Sequence, residues 1–88
     1  MHFQYKMYKL KTLIDFWLVI MKINTGDTLY EPMSRNTGEV IDVIEHPSGK
    51  IIKVRWRLDG QLPHDTELFY KKVKRCIRDG LYEHTSVD

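Results

Sequence analysis

The chain has 88 residues, 42% of them hydrophobic, and a formal net charge of +2. That length holds one domain with one modest core and leaves little room for separate catalytic and binding units. The single cysteine, Cys76, excludes an internal disulfide, so the composition points away from a secreted, bridge-stapled scaffold and toward a reducing, cytoplasmic setting.

Residues 1–23 read as a hydrophobic and basic extension. Leu13, Ile14, Phe16, Trp17, Leu18, Val19, Ile20 and Met21 form an apolar run broken by Asp15, and Lys6, Lys9, Lys11 and Lys22 flank it. A bilayer span needs roughly 17–25 apolar residues, so the run is too short for one. No small-residue cleavage signature follows it, which argues against a leader peptide. Three roles stay open: a strand or short helix packed on the domain, a docking segment for a partner, or a segment lying at a membrane surface. In the docking role, Leu13, Phe16, Trp17, Val19 and Ile20 are the contact residues. Met21 is an alternative initiator position just ahead of the regular domain.

Residues 24–80 carry the punctuation of a β protein. Gly26-Asp27 opens a short strand, Thr28 to Glu31, which Pro32 ends. Ser34 to Gly38 reads as a polar loop. Val40, Ile41, Val43 and Ile44 form a second β-rich run whose apolar residues do not alternate strictly, the mark of a bulge or of burial on both faces. His46-Pro47-Ser48-Gly49 is a turn. Residues 50–58 follow with Ile52, Val54, Trp56 and Leu58 on one face and Lys53, Arg55 and Arg57 on the other, the period of two that a strand imposes. Asp59-Gly60 is a favoured two-residue hairpin turn, which needs positive φ at both positions. Its partner strand falls in Gln61 to Thr66, and Pro63 assigns that strand to an edge or a bulge.

After Glu67 the period lengthens. Phe69, Val73, Cys76 and Ile77 share one helical face, which predicts a helix over 68–79 capped by Gly80, with a closing strand and a short helical turn as the alternative. Residues 81–88 read as a polar, frayed tail.

The Gly26-Asp27 opening, the Gly38-Glu39-Val40 strand, the Val54-Arg55-Trp56 strand and the Asp59-Gly60 turn resemble those of the small SH3-like barrels, the group of Tudor, chromo-barrel, KOW and CarD-type domains. The resemblance covers residues 25–70. It implies a mostly β fold, an SH3-like barrel of about five short strands, here with a C-terminal helix and an N-terminal hydrophobic extension. It also implies a binding role toward nucleic acid, methylated side chains or other proteins.

Charge places the expected site. Residues 50–78 hold nine basic side chains against Asp59, Asp65 and Glu67, whereas residues 24–49 hold Arg35 against five acids. Lys53, Arg55 and Arg57 should stand about 6.6–6.8 Å apart along one strand face, a ladder suited to phosphates. Lys71, Lys72, Lys74, Arg75 and Arg78 add a second cluster, and the two make one electropositive surface if helix and strand lie together. The alternatives are two solvated faces balanced by the acids of residues 24–49, or an acidic protein partner. Trp56 belongs with the core by its face. A cage of Tyr30, Trp56, Phe69 and Tyr70 around a methylated ammonium is the rival role, and stacking of bases on Tyr30 or Tyr70 a further one. His2, His46, His64 and His84 lack metal-ligand spacing, Cys76 sits on the apolar helix face, and no phosphate loop or nucleophile motif is present. The expectation is therefore a non-enzymatic module without metal or cofactor. Its expected partner is nucleic acid or a larger protein complex, with self-association open. A short lysine-rich chain of this kind also suits a phage or mobile-element accessory factor.

Overall fold

The computed structural model describes residues 16, 17 and 19–88. Among these, five antiparallel strands and one helix near the C-terminus follow in chain order. They are β1 (Thr28–Glu31), β2 (Asn36–Ile44), β3 (Ile51–Arg57), β4 (His64–Phe69), α1 (Tyr70–Arg78) and β5 (Glu83–Thr85). The sheet order is β4-β3-β2-β1-β5, a meander whose last strand returns to pair with the first.

β3 is the central organiser, and its alternation is the one expected over Ile52 to Arg57, whereas Leu58 falls beyond the strand's end and outside the core. Ile52, Val54 and Trp56 are buried, and with Ile23, Leu29, Val40 and Val73 they make the core. β2 carries the expected irregularity: its register against β3 shifts between Val40 and Asp42, leaving Ile41 as the extra residue. Opposite Trp56 on β2 stands Gly38. A Cβ added there would lie 2.6 Å from Val54 Cγ1 and 2.9 Å from Trp56 Cε3. Gly38→Ala is therefore expected to destabilise the domain by about 1–3 kcal/mol through overpacking, read as a lower urea midpoint.

Several expectations change. The sheet is not closed into a barrel, because β4 and β5 are its two edges and do not pair. α1, which joins these edges in the chain, sends Val73 into the core and packs Tyr70 and Ile77 against it. The expected loop at 34–38 is shorter, since β2 already begins at Asn36. The Asp59-Gly60 pair makes no two-residue hairpin. Only Gly60 has positive φ, at 76°, and the Gln61 N–H donates to the Leu58 carbonyl at 3.2 Å in a six-residue connection. Pro63 sits just before β4, which is an edge strand as expected.

The helix starts at Tyr70, not at 68, because β4 runs on through Phe69, which pairs with Ile51. Its end is the expected glycine cap: Gly80 has φ 81°, and the Leu81 N–H reaches back to the Cys76 carbonyl at 2.9 Å while that of Gly80 reaches Ile77 at 3.2 Å. Residues 81–88 are no frayed tail. Glu83–Thr85 forms β5 against β1, and Tyr82 packs on Trp56 with ring centroids 5.7 Å apart.

Nor do residues 1–23 stand wholly apart. Positions 16, 17, 19 and 20 are helical, Met21 packs on the core and Ile23 lies within it. A buried carboxylate binds both ends together. Asp27 is fully buried and accepts hydrogen bonds from the Asn24 N–H at 2.9 Å and the Val87 N–H at 3.0 Å, with His84 Nε2 at 2.7 Å. Burial alone would raise its pKa, but the Asn24 and Val87 N–H groups and His84 hold it below the ordinary 3.8.

Candidate functional site

The expected electropositive surface divides between two faces of the sheet. Lys53, Arg55 and Arg57 project from the outer face of β3, opposite the buried Ile52, Val54 and Trp56. α1 packs on the inner side through Val73. The strand ladder and the helix cations are thus not brought together.

The outer ladder is also flanked by acids. Register sets Lys53 between Asp42 on β2 and Glu67 on β4, and Arg55 between Glu39 and Asp65. Arg55 makes a two-pronged pair with Asp65, at 2.9 Å from Nε and 3.1 Å from the second nitrogen. That pair raises the Arg55 pKa and lowers that of Asp65, chiefly through the hydrogen bonds between them. Arg57 faces Thr37 and has no acid opposite it in the register. A phosphate approaching this face meets carboxylates beside each of the first two cations.

The helix side differs. Lys22, Lys50, Lys71, Lys72, Lys74 and Arg75 line one open groove, together with Phe69 and Tyr70, and among the described residues no Asp or Glu lines it, although Lys50 pairs with Glu45 at 3.7 Å. Convergence comes from the backbone. The Tyr70 N–H donates to the Lys50 carbonyl at 2.9 Å, and the Tyr70 hydroxyl oxygen accepts the Ile23 N–H at 2.9 Å. Helix, β2–β3 turn and the segment carrying Lys22 are thereby pinned around one ring. Lys50 and Lys74 place their ammonium groups 5.3 and 5.2 Å from the centre of that ring.

Lys74, one of the expected cations, is only 8% exposed. Its stem crosses apolar surface and its head follows the i, i+4 spacing back to Tyr70. Burial first, then Lys50 and Lys22, push its pKa below 10.5. An anion entering the groove offsets that repulsion, so binding and protonation of Lys74 favour one another. The helix N-terminus adds to the same field: no side chain caps it, and its first turn holds no acid.

Of the eight basic residues expected at the site, the groove gathers Lys71, Lys72, Lys74 and Arg75. Arg78 turns to Asp79, at 2.9 Å. Lys22 and Lys50 were missed, because each stands alone at the end of a local segment and only the fold unites them. The aromatic cage does not assemble either: Trp56 is buried, donating to Thr66 Oγ1 at 2.8 Å, and Tyr70 already carries two of the protein's own cations. Of the docking residues, Phe16, Trp17, Val19 and Ile20 are exposed, and Leu13 lies outside the described residues. Among the described residues, no cluster of His, Cys, Asp or Glu is arranged to hold a metal ion, and no helix is long and apolar enough to cross a membrane. No family model, curated protein or solved structure matches the chain.

Proposed function

We propose that this protein is a small non-enzymatic binding module that holds nucleic-acid phosphates in the groove beside α1. One observation carries the reading: six cations line a single groove in which, among the described residues, no Asp or Glu lies, Glu45 reaching only the exposed Lys50 at 3.7 Å, and one of the six, Lys74, is buried there at an electrostatic cost. Ordinary solvated charge does not require burial, whereas a polyanion repays it. Lys22, Lys50, Lys71, Lys72 and Arg75 act as phosphate contacts, and Lys74 sets the potential at the floor. Contacts of this kind give affinity with little reading of base edges. The SH3-like resemblance belongs to the same proposal. Five strands and the meeting of Gly38 with Trp56 agree with it, although the sheet stays open.

The test is a salt series with labelled oligonucleotides. Affinity of the parent is expected to fall steeply with salt. The double variant Lys72→Glu/Arg75→Glu is expected to bind at least about tenfold more weakly and to lose about 2 from the log–log salt slope. Arg55→Ala, whose side chain is committed to Asp65, is expected to bind as the parent does. Retained binding in the double variant would rule the groove out.

A second reading is docking on a larger protein complex through the N-terminal segment, and the exposure of Phe16, Trp17, Val19 and Ile20 favours it. Absence of oligonucleotide binding at low salt would move weight to it.

A further inference from the structure

Phe69 is the last residue of β4 and the residue immediately before α1. Its neighbour Leu68 turns inward and packs against the core, which sends Phe69 outward. It is 53% exposed and lines the basic groove with Lys71 and Lys72. Tyr70, by contrast, is committed: its hydroxyl is bonded to Ile23, and two ammonium groups stand over its ring.

An aromatic ring set outward beside cations, in a groove that no Asp or Glu lines among the described residues, serves one ligand chemistry well. The cations track a phosphate backbone, and the ring offers a flat surface to an unstacked base. Stacking requires no hydrogen-bond code, since every base has a π face. A duplex keeps its bases stacked within the helix and leaves the ring unused. Resting on the phosphate-groove reading above, we infer that the ligand of this groove is single-stranded nucleic acid, with Phe69 the stacking platform for one base.

The geometry fits a strand running along the groove. Lys71 and Lys72 follow Phe69 directly in the chain, so a base on the ring brings its own phosphate toward the first turn of α1. Lys50 joins the groove from the turn before β3, its carbonyl held by the Tyr70 N–H at 2.9 Å.

The experiment compares three probes at one low salt concentration: a single-stranded oligonucleotide, the same sequence as a duplex, and inorganic polyphosphate, which has charge but no bases. The parent is expected to bind the single strand more tightly than the duplex. Phe69→Ala is expected to weaken single-strand binding about tenfold and to leave polyphosphate binding unchanged. Phe69→Trp is expected to retain single-strand binding, and Phe69→Leu to behave as Phe69→Ala, because leucine is apolar without a π face. Unchanged melting temperatures would show that none of these variants perturbs the fold. If Phe69→Ala weakens both probes equally or neither, stacking is overturned and the phosphate groove survives. If the parent binds neither probe, both proposals fall together.

Discussion

Asp27→Ala is expected to lower the unfolding free energy by about 3–5 kcal/mol, close to the whole stability of a domain this small. The carboxylate is fully buried and serves three partners: the Asn24 N–H, the Val87 N–H and His84. Alanine strands all three. Each buried donor left without an acceptor costs about 1–3 kcal/mol. The loss also releases the ends of the domain, because Asn24 precedes β1 while His84 and Val87 belong to β5 and the residues beyond it. β5 has only three residues and a single partner strand, so it depends on this clamp. Urea unfolding followed by circular dichroism checks the result. A change under about 1 kcal/mol would mean that the clamp holds nothing.

The same group sets a pH dependence. Its folded-state pKa lies below the ordinary 3.8. The ionised form is therefore favoured by folding, and its contribution is fully present above the unfolded-state value. That contribution is lost as the pH falls through the lower, folded-state value. Asp27→Asn removes the titration, so its stability is expected to decline less steeply on acidification than that of the parent. Denaturant midpoints from about pH 5 downward read the difference.

Trp56→Ala is the second large effect, also about 3–5 kcal/mol. The indole lies where three strands and the residue before β5 meet. Gly38 faces it on β2, Thr66 on β4 accepts its N–H at 2.8 Å, Val54 precedes it on the same face, and Tyr82 packs across it. Truncation opens a cavity that these neighbours fill poorly, because strand register holds their backbones in place. Trp56→Phe keeps most of the packing and loses the hydrogen bond to Thr66. It is expected to cost less than half as much in the same urea titration. Equal losses for the two variants would assign the effect to the N–H and not to the ring.

Both residues lay in view in the sequence, but unequally. Trp56 could be assigned to the core because Ile52, Val54, Lys53, Arg55 and Arg57 around it define a strand by alternation alone. Asp27 could be seen only as part of a strand opening. Two of its three partners lie 57 and 60 residues away, beyond the reach of any local pattern. Phe69 shows the opposite failure. Its spacing to Val73 fitted a helical face, yet continued pairing with β3 keeps it in β4 and turns it outward.

The sequence by itself determined the β character, the inward and outward faces of β3 from Ile52 to Arg57 and the glycine cap of the helix, and it narrowed the irregularity in β2 and the place of β4 to two options each, between which the structure chose the bulge and the edge. Each follows from side-chain period or backbone restriction acting over a few residues. Only the tertiary structure decided which cations share a surface. Val73 draws α1 to the inner face, away from the ladder on β3, and Tyr70 gathers Lys22 and Lys50 from distant segments. Charge adds across space and not along the chain, so the groove came into being only when the sheet and the helix packed.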